Sequence, residues 1–67
     1  MLRKLFSARI RQLRKEKKLS QEKFAEKVGV STTTVQRWER GEDAPEFDRL
    51  AMIAQTLDCP VKDLFDF

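Results

Sequence analysis

The sequence predicts an all-α fold, a compact domain of five helices. Three observations predict it. Apolar residues recur at helical spacing in every segment, and the alternation of a half-buried strand is absent. The breakers Gly29, Gly41, Pro45 and Pro60 are few, and each falls between two such segments. Ser20 and Ser31 stand just ahead of two of the apolar runs, where an N-cap belongs.

The first helix is expected from about Arg3 to Lys17, with Phe6, Ile10 and Leu13 at i, i+4 and i+7 as its buried stripe. Lys15, Lys17 and Lys18 suit the negative end of its dipole. Ser20 caps a second helix of about eight residues, with Glu22 in its first turn and Phe24, Ala25 and Val28 on one face. Gly29 follows the last apolar position, where a left-handed residue is expected. Ser31 then caps a third helix that reaches Arg40 and stops at Gly41. A short helix, a tight glycine turn and a second capped helix make a helix-turn-helix. After the loop Glu42-Asp43-Ala44-Pro45, a fourth helix carries the stripe Phe47, Leu50, Ile53, Ala54 and Leu57. Pro60 opens a last short helix with Val61, Leu64 and Phe65 apolar.

Sixty-seven residues suffice for one domain, expected to span 1–67, with little room for an enzyme cleft beside its core. Hydrophobic residues at 40% and charged residues at 37% fit a globular chain rather than a disordered one. No apolar run approaches the ~20 residues of a membrane span, and the start Met1 to Phe6 is too short and too charged for a signal peptide. Cys59 is the sole cysteine and histidine is absent, which excludes an internal disulfide and a His/Cys zinc site. No cofactor or small-molecule effector site is visible, and the expected compartment is a reducing cytoplasm. The enzyme class is set aside: there is no Ser/His or Cys/His pair and no phosphate-cradling glycine loop.

Charge is distributed unevenly. Residues 1–18 hold Arg3, Lys4, Arg9, Arg11, Arg14, Lys15, Lys17 and Lys18 against Glu16, for a net +7. Residues 19–41 carry +1, and residues 42–67 carry −5. The asymmetry suggests one surface for a polyanion and another turned away from it. The alternative is an ordinary solvated charged helix.

On a helical wheel of about 100° per residue, Thr32, Thr33, Gln36, Arg37 and Arg40 fall in one sector of the third helix. Val35, Trp38 and Glu39 fall in the other, with Thr34 at its border. The apolar sector must dock inward, so the polar sector is presented outward as a strip of hydrogen-bonding side chains. Such a strip fits the major groove: Arg37 can pair with guanine O6 and N7, Gln36 with adenine N6 and N7, and threonine methyls can touch thymine methyls. A merely solvated face usually carries Glu and Lys; three consecutive threonines are poor helix formers, which points to another use.

The chain resembles the Cro and phage-repressor type of helix-turn-helix proteins, the XRE family. The resemblance runs from about Ile10 to Phe65. It is carried by Leu19 to Ser31, then Val35, Trp38, Glu39 and Gly41, then Pro45, the stripe to Leu57, and Val61 to Phe65. It implies a lambda-repressor-like fold and a sequence-specific double-stranded-DNA-binding transcriptional regulator, with repression the expected mode. Gln21 matches a residue that contacts a phosphate and braces a base-reading side chain. Thr32, Thr33, Gln36 and Arg37 match base-reading positions; Ser31, Thr34, Arg40 and Arg11 match phosphate positions. Arg14 and Glu39 match an ion pair between the first and third helices. Three features depart from the pattern. Glu42, Asp43 and Glu46 occupy a loop that often supplies basic or neutral contacts, so this loop either faces away from DNA or lowers affinity. Asp58 stands where glycine is common, in a left-handed position that Asp tolerates at some cost. The basic start either reaches an adjacent phosphate or simply lengthens the first helix.

The resemblance also implies a homodimer on DNA, its half-sites about one turn, ~34 Å, apart. Val61, Leu64, Phe65 and Phe67 offer an apolar edge for the two-fold contact; the alternative is that Leu64 and Phe65 only close the monomer core. A protein-binding adaptor or an antitoxin-type partner built on the same fold is the competing function. The outward Thr/Gln/Arg strip speaks against it and the acidic C-terminal third mildly for it.

Overall fold

A computed structural model describes residues 2–67; Met1, part of the basic start, lies outside the described residues. Four α-helices follow one another: α1 (Leu2–Glu16), α2 (Gln21–Val28), α3 (Thr32–Arg40) and α4 (Phe47–Thr56). The last apolar segment, Val61–Phe65, is a 3₁₀-helix rather than the fifth α-helix that the sequence suggests. Its bonds run from Asp63 N–H to the Pro60 carbonyl at 3.0 Å and from Asp66 N–H to the Asp63 carbonyl at 3.4 Å. A five-residue piece between a proline and an aspartate favours this tighter turn.

The elements close into a near-spherical body of 26 × 23 × 22 Å around one core. Ile10 of α1, Phe24 and Val28 of α2, Val35 of α3, Ile53 of α4, and Leu57 and Leu64 beyond it are fully buried there. Trp38, Phe6, Ala25 and Ala54 complete it. Two sequence expectations are corrected. Phe47 does not belong to the α4 stripe: it is 86% exposed, because the first turn of α4 overhangs the core and the stripe begins at Leu50. Leu64 is 0% exposed and sits inside the monomer, so it cannot serve a surface contact.

All four α-helices end alike. Lys18, Gly29, Gly41 and Asp58 are left-handed, with φ of 58°, 87°, 77° and 57°. The residue after each returns a long backbone bond: Leu19 to Arg14, Val30 to Ala25, Glu42 to Arg37 and Cys59 to Ala54, at 3.0–3.2 Å. This is the Schellman closure, which satisfies carbonyls that the helix leaves free. Leu19, Val30 and Cys59 at the same time tuck against the core. The starts of α2 and α3 are held by serine. Ser20 Oγ accepts from Lys23 N–H at 3.0 Å, and Ser31 Oγ accepts from Thr34 N–H at 3.1 Å. The turn Gly29-Val30-Ser31 between these fixed ends sets the relative direction of α2 and α3.

Candidate nucleic-acid interface

The nine residues of α3 divide cleanly. Val35, Trp38 and Glu39 are buried. Thr33, Arg37 and Arg40 are exposed, and Thr32, Thr34 and Gln36 are partly exposed. The outward side is therefore continuous from Thr32 to Arg40 and carries hydroxyl, amide and guanidinium groups. It presents both donors and acceptors, as reading base edges requires. Ser31, at the N-terminal end of this strip, has its oxygen committed to Thr34, whose hydroxyl lies 2.9 Å away.

A polar network underlies the strip. Arg14 of α1 donates from Nε to Glu39 Oε2 at 2.6 Å and from Nη2 to Glu39 Oε1 at 3.0 Å. Its Nη1 donates to the Leu19 carbonyl at 2.7 Å. Gln21, the first residue of α2, donates from Nε2 to Glu39 Oε1 at 3.1 Å. Arg14 and Glu39 are only 8% and 4% exposed. A fork-on-fork arginine–carboxylate pair fixes angle as well as distance. Glu39, the second-last residue of α3, thus ties that helix to both α1 and α2, and holds the Gln21 side chain against it.

The remaining cations of α1 and of the turn after it point in different directions. Arg9 turns toward the acidic end of the chain, donating from Nε to the Asp63 carbonyl at 2.8 Å and approaching Asp66 at 3.8 Å. Lys17 approaches Asp58 at 3.7 Å, and Arg3 donates to the Glu42 carbonyl at 3.3 Å. Arg11 is exposed on the side facing the end of α3, in a groove it shares with Lys4, Lys15 and Arg40. Sequence reasoning misses the Gln21–Glu39 bond, the Leu19 carbonyl as a third partner of Arg14, and Lys4 and Lys15 beside Arg11. The first two carry no periodic signal; the lysines sit at helical spacing from Arg11, and that spacing is the signal that could find them.

At the other end, Val61 and Phe65 are each 41% exposed and Phe67 is 51% exposed. The ring of Phe65 lies 5.2 Å from that of Phe6 and 6.4 Å from that of Phe67. Beside them, Leu2, Phe6, Ala44, Pro45, Leu50 and Phe65 line an apolar groove of about 330 Å³. Cys59 is half-buried, and burial first, then Asp63, pushes its thiol above the ordinary value.

Residues 10–64 match the helix-turn-helix family. The chain belongs to that family. Among curated helix-turn-helix relatives, it is 33% identical over 60 residues to the transcriptional repressor RstR of the cryptic phage CTXphi from Vibrio cholerae, covering 90% of this chain and 54% of the repressor. The chain spans about half or less of the length of the curated relatives it matches first. Among solved structures, the restriction-modification controller protein C.AhdI from Aeromonas hydrophila superposes with a TM-score of 0.90 at 33% identity, over 94% of this chain and 96% of the controller. The P22 c2 repressor of Salmonella phage P22, in complex with a synthetic operator, gives a TM-score of 0.84 at 33% identity, over 91% of this chain and 92% of that one. The all-helical fold is thus that of known helix-turn-helix regulators.

Proposed function

We propose that this chain binds double-stranded DNA in a sequence-specific manner and regulates transcription, as a repressor, by laying α3 in the major groove. One observation carries the reading: the exposed face of α3 is a continuous strip of Thr32, Thr33, Gln36, Arg37 and Arg40, while its opposite face is anchored in the core by Val35 and Trp38. Arg37 and Gln36 read bases, with Thr32 and Thr33 beside them; Gln21 contacts a phosphate and braces the strip; Ser31, Thr34, Arg40 and Arg11 meet the backbone. The likeness to a repressor solved on its operator supports the partner.

Two copies act on one site, paired through the exposed edge of Val61, Phe65 and Phe67. Their place of action is the cytoplasm, where the DNA lies. No helix among the described residues is long and apolar enough to cross a membrane.

The test is selection of binding sites from random duplex DNA by the wild type and by Arg37→Ala. The wild type should enrich a two-fold symmetric site. Arg37→Ala should relax preference at one base step in each half-site, a loss of about 1–3 kcal/mol of discrimination. Recovery of no enriched sequence by the wild type would overturn the proposal.

A further inference from the structure

The cations of α1 and of the turn after it sort by direction. Arg9, Arg14 and Lys17 have protein carboxylates within reach, in Asp66, Glu39 and Asp58. Of the others, Arg3 donates to the Glu42 carbonyl, and Lys4, Arg11 and Lys15 make no ion pair among the described residues. These last three recur at helical spacing along one side of α1, and that side faces the C-terminal end of α3. Between the two helices runs a groove of about 390 Å³, lined by Lys4, Arg11, Lys15 and Arg40, with the small residues Ser7 and Ala8 below them. The backbone just after α3 comes close to α1: a Cβ on Gly41 would lie 3.1 Å from Lys4 Cγ. Glu39 also lines the groove, but its charge is matched by Arg14 at 2.6 Å and bonded by Gln21. Arg40 carries the one counter-charge at the rim, a loose approach of 3.7 Å to Glu42 with both side chains more than half exposed.

The groove therefore concentrates unmatched positive charge beside a small-residue floor, and Arg40 joins it to the reading face of α3. Its neighbour is the loop Glu42, Asp43 and Glu46, which repels a polyanion. We infer that the α1–α3 groove is a second phosphate track, in which Lys4 and Lys15 join Arg11 and Arg40 on the DNA backbone and make up for contacts that the acidic loop cannot give. The track rests on the DNA-binding reading and deepens it. It carries charge without base-reading geometry, so it adds affinity and salt dependence, not sequence preference.

The experiment measures affinity against salt for the wild type and for Lys4→Gln/Lys15→Gln, on the selected duplex and on a duplex of scrambled sequence. Lys62→Gln, on the 3₁₀-helix and outside the groove, is the control. All three proteins should melt together, since exposed substitutions of this kind shift stability little. The log–log slope of the double variant should fall by about 1.8, or about 0.9 for each phosphate no longer neutralised. Both duplexes should weaken by the same factor, and Lys62→Gln should keep the wild-type slope. An unchanged slope in the double variant, with the wild type bound to its selected site, overturns the track and leaves the role of α3 standing. A slope that falls on the selected duplex alone also overturns it, because the track would then be reading sequence. A wild type that binds neither duplex overturns the DNA-binding reading and the track with it.

Discussion

Replacing Arg14 by alanine removes three hydrogen bonds at once, two to Glu39 and one to the Leu19 carbonyl. Glu39 is left 4% exposed in the wild-type packing, with only the Gln21 amide for a partner. Breaking a buried ion pair from one side costs about 3–5 kcal/mol. The surviving Gln21 bond places this case at the lower end, near 3 kcal/mol. A domain of this length has about 3–10 kcal/mol in total, so the loss is a large share of it. One kcal/mol moves the melting midpoint of a small domain by roughly 4–8 °C, which gives a drop of at least about 12 °C for Arg14→Ala. Urea titration and thermal melting followed by circular dichroism measure it. The companion Arg14→Met/Glu39→Leu removes both charges and should recover more than half of the loss, since apolar replacement of a buried pair is often neutral. A single variant within about 0.5 kcal/mol of wild type would refute the reasoning, as it would match an ordinary surface change. A double variant as unstable as the single would refute it differently, by showing that disrupted packing and not stranded charge is responsible.

Gly41→Ala should destabilise by about 1–2 kcal/mol in the same assay, because φ is 77° and the new methyl would meet Lys4 Cγ at 3.1 Å. Lys18→Gly should stabilise by about 0.5–1 kcal/mol: relief of the left-handed lysine outweighs the extra chain entropy of glycine. Cys59 should alkylate more slowly than a free thiol near neutral pH, because burial and then Asp63 raise its ionisation above the ordinary value. The folded thiol then ionises at a higher pH than the unfolded one. Its contribution to stability is intact below the unfolded value and is lost as pH rises through the folded value. A pH series of melting with Cys59→Ser as reference checks this, and identical alkaline profiles would contradict it.

Helix ends are legible in the sequence where glycine marks them, at Gly29 and Gly41, and partly at Asp58, a residue type that visits the left-handed region. Lys18 adopts the same conformation with no compositional sign, so the end of α1 reads one residue late. The 3₁₀-helix escapes because Val61, Leu64 and Phe65 fit both an i+3 and an i+4 rhythm; only the bond pattern separates them. Phe47 is misplaced because periodicity says which side of a helix faces in, not where along its length the core stops. The α3 strip is legible because two large anchors, Val35 and Trp38, mark which side of a nine-residue helix turns inward. The Gln21–Glu39 contact spans 18 residues between separate helices and follows from the turn geometry, which no spacing in the chain encodes.

A marginal domain that keeps an ion pair inside its core raises the question of what the pair contributes. Apolar contact is non-directional, so Val35 and Trp38 alone hold α3 down without fixing its roll. A side-chain tip about 5 Å from the helix axis moves about 1.7 Å for a roll of about 20°. That is enough to carry Arg37 or Gln36 off a base edge. The same roll would break the paired contacts of Glu39 at 2.6 and 3.0 Å and the Gln21 bond at 3.1 Å, and these come from two different helices. The network therefore resists rotation where the apolar core does not. Stability and recognition should then separate in Arg14→Met/Glu39→Leu. Once folded, it should still bind duplex DNA through its exposed cations, with a salt slope close to wild type, yet discriminate poorly between the selected site and a scrambled one. Full discrimination in that variant would show that the core alone sets the roll of α3 and that the ion pair contributes only to stability.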